Sequence, residues 1–237
     1  MTRRRWIADE VSGNRAALIG DHADHLARIL RARVGQEFDV VADGAVRRGR
    51  IACISESRVE FELGELTRAA PVTDLTLLLS VFKFDRFEWA IEKCTELGVK
   101  KITPVIARRT DAHLASASAK RVERWRRIAA QSAEQSRRTT APEIPDPIKL
   151  QQAFGISGNL RIVLSEVEQE TRLADIFSGS DAADAILAIG PEGGWTQDEL
   201  DLFQKEHWVS ASLGSTILRA ETAAIAATAL AISLLNL

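Results

Sequence analysis

From Leu75 to the C-terminus, short apolar runs alternate with stretches of helical periodicity, and this alternation limits the fold more than any other feature of the chain. A strand followed by a crossover helix returns the chain in the same direction, so repeated strand–helix units predict a parallel sheet with helices on its faces. LTLLLSVF reads as a buried strand and RFEWAIEKCTELG as a helix. Its apolar residues Phe87, Ala90, Ile91, Cys94 and Leu97 share one face, and Gly98 suits its stop. KITPVIA is the next strand, and a long polar helix is expected from about Ser118 to Arg138, with Val122, Trp125, Ile128 and Ala129 inward. LRIVLSEV, DAILAIG and WVSASLG are further strands, separated or followed by the helices LADIF, TQDELDLFQKE and ETAAIAATALAISLL. The last of these is apolar nearly all round, which implies burial on most sides, against its own sheet or a second subunit.

The first 68 residues read differently. An opening strand, RRWIADEV, precedes a short helix, DHADHLARILR, with Leu26, Ile29 and Leu30 on one face. EFDVVADG, VRRGRIACI and RVEFELGEL follow, with turn signals at Gly35, Asp43-Gly44 and Gly64. Asp-Gly between two apolar runs is a hairpin signal. A small, mostly β unit is expected over 1–70 and an α/β unit over 71–237, divided near Pro71.

No apolar run approaches the roughly 18–20 residues of a membrane span, and the start lacks the apolar stretch of a secretory signal. A cytoplasmic soluble protein is expected. The two cysteines, Cys53 and Cys94, read as reduced core thiols. His22 and His25 stand at i, i+3, but no acidic or cysteine cluster completes a metal site, so no metal is expected. The net charge of −2 conceals a gradient: residues 71–145 carry 14 basic and 9 acidic side chains, residues 146–237 carry 5 and 13. A polyanion would therefore dock on the middle third. The run from Lys120 to Arg127, Arg137-Arg138, Arg108-Arg109, Arg3-Arg4-Arg5 and the arginines at 47, 48 and 50 tilt the reading towards RNA. For the helical run, a solvated face is the commoner alternative.

Two loops concentrate the chemistry. In Leu187-Ala-Ile-Gly-Pro-Glu-Gly-Gly-Trp-Thr-Gln-Asp-Glu199 a strand ends at Gly190, the chain turns through Pro191, Glu192, Gly193 and Gly194, and Thr196 and Glu199 form a capping-box pattern. Paired glycines permit positive φ and let a ligand lie on the backbone, although a tight turn without a ligand fits the same residues. In Leu213-Gly-Ser-Thr-Ile-Leu-Arg-Ala-Glu-Thr-Ala223 another strand end leads into a helix, with Arg219 and Glu221 the only local charges and a mutual salt bridge one reading of them. Leu164, Ser165 and Glu166 offer a third strand end. Such rims are where parallel sheets place ligands. Neither G-x-G-x-x-G nor G-x-x-x-x-G-K-[ST] occurs, which argues against a nicotinamide oxidoreductase or an NTPase.

LAIGPEGGWTQDE, LGSTILRAETAA, EWAIEKCTELGV, SAEQSRR and HLARILRARVGQEF together resemble the bacterial 16S rRNA (uracil-N3)-methyltransferases, of the SPOUT class, over nearly the whole chain. The resemblance implies a PUA-like β-barrel that helps bind RNA, then an α/β SPOUT domain whose parallel sheet ends in a trefoil knot. It also implies S-adenosylmethionine as methyl donor, a homodimer, and N3-methyluridine in the decoding region of the small ribosomal subunit as product. By position, the cofactor would contact Leu164, Ser165, Glu166, Gly190, Pro191, Glu192, Gly193, Gly194, Leu213, Ser215, Ile217, Leu218 and Arg219, with Leu213, Ile217 and Leu218 on the adenine ring. Arg5 and Arg31 match basic positions expected to meet phosphate, and Arg108, Arg109 and Arg137 extend that set. Arg219 is expected to stabilise the uracil or its phosphate and Glu221 to orient it. Thr216 stands where the family carries arginine, and Arg137 where it carries glycine. The alternatives are another knotted methyltransferase activity, such as ribose 2′-O-methylation, and a non-catalytic ribosome-binding factor.

Overall fold

The structure, a computed structural model, describes residues 5–67, 73–136 and 138–235. By its internal contacts the chain divides into two compact units, Met1–Pro71 with Ala133–Thr140, and Val72–Ser132 with Ala141–Leu237.

The first unit contains β1 (Arg5–Ile7), β2 (Glu10–Ser12), β3 (Arg15–Ile19), the helical turn α1 (Asp21–Asp24), β4 (Glu37–Ala42), β5 (Ala45–Ser55) and β6 (Arg58–Thr67). Its sheet runs β1-β4-β5-β6-β3-β2, parallel only between β1 and β4. The expected single opening strand is instead two strands on opposite edges of this sheet. The link is only Ala8 and Asp9, whose amides bond Val41 on one side and Ala17 on the other. Joining opposite edges through two residues forces the sheet to curl on itself, which also covers edges that would otherwise pair indiscriminately. The Asp9 carboxylate accepts from the Ile19 amide at 2.7 Å and fixes the switch.

The Asp43-Gly44 hairpin forms as expected, with φ of 50° and 75°, the positive pair that a tight two-residue turn requires. Gly49 crosses directly beside Val40 and Phe61, with no room for a side chain. The predicted helix after α1 continues as a π-helical turn, His25–Ile29, closed by the Ala32 amide on the Leu26 carbonyl, with Arg31 left-handed at φ 52°. Cys53 corrects an expectation: it is exposed, not a core thiol. The register of β5 against β6 slips between Ile51 and Cys53, so the inward alternation stops at Ile51.

The second unit follows the strand–helix alternation: β7 (Asp74–Ser80), α2 (Phe84–Leu97), β8 (Lys101–Ile106), α3 (Ala112–Ser118), α4 (Val122–Gln135), β9 (Ile148–Lys149), α5 (Leu150–Ala153), β10 (Leu160–Leu164), α6 (Leu173–Ser178), β11 (Asp184–Ile189), α7 (Gln197–Lys205), β12 (Val209–Ala211) and α8 (Ala220–Leu235). All strands are parallel, in the order β12-β10-β11-β7-β8-β9. The expected helix from Ser118 to Arg138 is shorter at its end and interrupted: α3 begins earlier, capped by the Asp111 carboxylate, and a 3-10 turn at Ala119–Arg121 separates it from α4. The inward stripe is right, with Trp125 fully buried and its ring 4.7 Å from that of Phe87.

Within this chain α8 buries one face, Ala220, Ala224, Ala227, Thr228 and Ala231, while Ile225, Leu230, Ile232 and Leu234 are partly covered. Small residues on that face let the helix approach α2 closely enough for the Thr228 hydroxyl to donate to the Cys94 sulfur at 3.4 Å. Among the described residues no helix is long and apolar enough to cross a membrane, and no group of three or more His, Cys, Asp or Glu could hold a metal ion.

Candidate functional site

β10, β11 and β12 are neighbours in one parallel sheet, so their carboxyl ends open on one rim. The segments that leave those ends, Leu164–Val167, Ile189–Trp195 and Ala211–Leu218, wall a single cleft. Every residue predicted for the cofactor lines it except Gly193 and Arg219. Outside the predicted loops, Val167, Ile189, Leu200 and the Trp195 indole line it too, and the sequence did not single them out for the ligand.

The turn after β11 is held from several directions. Gly194 has φ +70°, and a Cβ there would sit 2.6 Å from the Glu166 carboxylate. A side chain at Gly190 would meet the Trp195 indole at 3.3 Å. Trp195 is buried, packs at 4.9 Å on the Phe203 ring, and donates its indole N–H to the Leu164 carbonyl at 3.1 Å, joining the first two segments. The capping box forms as read: Glu199 accepts from the Thr196 amide at 2.9 Å, and its other oxygen accepts from the Arg108 amide at 2.7 Å. The Arg109 guanidinium donates to the carbonyls of Gly193, 2.6 Å, and Trp195, 3.2 Å. The cleft is therefore a backbone-lined cradle, with Leu213, Leu218 and Ile189 supplying apolar wall.

Of the readings of the charges at the start of α8, the mutual salt bridge does not form. Arg219 and Glu221 do not pair with each other. Glu221 is buried and its Oε1 lies 3.7 Å from the Arg86 Nε, whereas Arg219 is exposed and makes no side-chain hydrogen bond or ion pair among the described residues. Arg86 also reaches Glu192 Oε1 at 2.6 Å. Neither Arg219 nor Glu221 lines the cleft wall. Arg86 was missed by pattern reading, although one signal existed: it places a cation in the first turn of α2, where the helix dipole favours an anion.

The arginines expected at RNA fall in different places. Arg5 lies half-buried in β1, Arg31 is exposed at its left-handed turn, Arg108 and Arg109 are exposed after β8, and Arg137 lies outside the described residues. In the basic run, Arg124 pairs with Glu88 at 2.8 Å, Arg126 with Glu123 at 2.6 Å, and Arg121 stacks on Phe84. Part of that run is thus committed to pairs within its own unit.

A wholly parallel sheet with helices on its faces and a backbone-lined cleft at three neighbouring strand ends defines an α/β domain built to bind a small ligand. Residues 68–232 match the model of an RNA methyltransferase domain. The chain is 33% identical to ribosomal RNA small subunit methyltransferase E of Rickettsia conorii, over 95% of this chain and 93% of that protein. It is 31% identical to the protein of the same name from Mycobacterium bovis, over 91% and 85%. Among solved structures, a ribosomal RNA small subunit methyltransferase E from Neisseria gonorrhoeae bound to S-adenosyl methionine superposes with a TM-score of 0.83 at 28% identity, covering 96% of each chain. The chain belongs to the family of ribosomal RNA small subunit methyltransferase E.

Proposed function

We propose that this protein is an S-adenosylmethionine-dependent methyltransferase that acts on N3 of a uridine in the decoding region of 16S rRNA, with the assembled small subunit as substrate. The observation that carries the reading is the cradle: three strand-end segments meet in a cleft walled by glycine backbone, apolar side chains and the carboxylates of Glu166 and Glu192. Such a wall suits an adenine and ribose gripped by amides and carbonyls. The relative bound to S-adenosyl methionine supports the same assignment.

In this reading Gly190 to Gly194 and Leu164 to Glu166 hold the cofactor through backbone and carboxylate groups, and Leu213, Ile217 and Leu218 pack on the adenine. When bound, S-adenosylmethionine supplies an electrophilic methyl group. Transfer to it needs alignment more than covalent help, so the chain's task is positioning. The uridine N3 must lose a proton, and the charge that develops on the ring needs a donor in a site shielded from water. Arg219 is suited to that role, exposed beside the cleft without an ion-pair partner among the described residues. Glu221 orients the start of α8 that carries it. Thr216 lines the cleft in place of the family's arginine, so that no guanidinium stands on this wall among the described residues.

The curled first unit is read as the PUA-like, RNA-binding module over 1–70, with Arg5 and Arg31 toward phosphate, and 71–237 as the SPOUT domain. The path from the edge strand β12 back to a helix packed on α2 and α6 supports a C-terminal trefoil knot. The partly covered large residues of α8 support a homodimer through that helix, and a cytoplasmic location follows from the substrate.

The test is product identity. Small subunits lacking native uridine methylation are incubated with the protein and the donor, and the nucleosides are resolved by mass spectrometry. N3-methyluridine is expected. A ribose 2′-O-methyl nucleoside would replace this reading with the other knotted activity, and an unmodified subunit bound by the protein would favour a ribosome-binding factor.

A further inference from the structure

Arg86 stands in the first turn of α2, where its own helix dipole disfavours a cation, so its position has to be compensated by what it touches. It touches two carboxylates on different segments. Its Nη1 donates to Glu192 Oε1 at 2.6 Å, and its Nε lies 3.7 Å from Glu221 Oε1. Glu192 sits in the turn after β11 and lines the cleft. Glu221 opens α8, directly behind the loop from β12 that forms another wall of the same cleft.

Glu221 is 4% exposed, and its second oxygen is buried with no hydrogen-bond partner among the described residues. Arg86 is therefore the cation nearest a carboxylate that water cannot reach. Removing it would leave a buried charge uncompensated and remove the tether on Glu192.

We infer that Arg86 is a positioning residue: by holding Glu192 and Glu221 on one guanidinium it sets the spacing between two of the loops that grip the cofactor. The inference rests on the proposed assignment of the cleft to S-adenosylmethionine. Arg86 does not line the cleft, so it acts through the two loops and not by touching the ligand. A planar fork can serve two acceptors at fixed separation, which a lysine's point charge does less well.

The experiment is calorimetric titration of S-adenosylmethionine into the full chain and its variants, with steady-state kinetics and melting curves alongside. Arg86→Gln is expected to weaken cofactor binding about tenfold, as a displacement of the loops would. The loss falls on KM for the donor, with kcat at saturation within about threefold, and Arg86→Lys recovers part of it because it restores charge without the fork. A folded Arg86→Gln that binds within about twofold of the unmodified chain overturns the inference, as does a fall in kcat at unchanged KM. Should Arg86→Gln not fold, Glu192→Gln is read instead. It keeps Arg86 beside the buried Glu221 and is expected to weaken binding several-fold, and unchanged affinity overturns the inference. An unmodified chain that takes up no S-adenosylmethionine removes the cofactor assignment and this inference with it.

Discussion

At Gly194 the chain turns with φ +70°, and the place where a β-carbon would stand is 2.6 Å from the Glu166 carboxylate. Both facts exclude a side chain: the backbone region is disfavoured for an L residue by about 1–2 kcal/mol, and the space is already used. Gly194→Ala is therefore expected to push Glu166 away and distort the turn. Binding of S-adenosylmethionine should weaken by about tenfold or more with only a modest fall in melting temperature, measured by calorimetry and thermal unfolding. An alanine variant that binds as well as the original would mean that the turn is not part of the ligand's cradle. The glycine pair and the capping box are local patterns, and both were legible in the sequence. The loop contacts of Arg86 and Arg109 were not, because the atoms they hold lie 106 and 84 residues away along the chain. A residue whose role is defined by a distant loop leaves only an indirect trace, such as a cation at the wrong end of a helix.

The packing of α8 on α2 shows what elements add beyond residues. Periodicity identifies both helices correctly, but an all-apolar helix does not say which face is inward. Packing selects the alanine face because it permits the closest approach, and the Cys94 thiol lies at that seam with Thr228. Burial pushes the Cys94 thiol up to about 12. In the unfolded chain the same thiol ionises near pH 8.5. Between those values the unfolded state binds fewer protons than the folded one, so Cys94 contributes a loss of stability as pH rises from about 8.5 towards 12. A thiol reagent at pH 8 should modify exposed Cys53 at once and Cys94 only as fast as the α2–α8 seam opens. Immediate modification of both would contradict this packing. Cys53 is exposed for a reason that lies at the same scale. Alternation in β5 is a sound guide until the register slip after Ile51, and no residue pattern announces that slip.

For the molecule as a whole, alternation revealed a parallel sheet and the number of its main strands, yet gave no strand order. The order β12-β10-β11-β7-β8-β9 decides that three particular strand ends share a rim. It is set by which crossover helices can cover which faces, a property of the assembled chain. In the first unit, likewise, the curl depends on a two-residue step between opposite sheet edges, which reads in sequence as one uninterrupted strand. The parallel α/β sheet and the three strand-end segments that wall the cleft were thus within reach of the sequence, while topology and the ion-pair connections were not.

The most direct test of methyl transfer through this cleft uses S-adenosylmethionine labelled on its methyl group and purified ribosomal subunits from cells without the native uridine methylation. Label is expected in the RNA of the small subunit, in stoichiometric yield at one position, and not in the large subunit. Its incorporation should fall in parallel with cofactor affinity in the Gly194→Ala variant. No incorporation by the folded, S-adenosylmethionine-binding protein, or equal labelling of both subunits, would contradict the account.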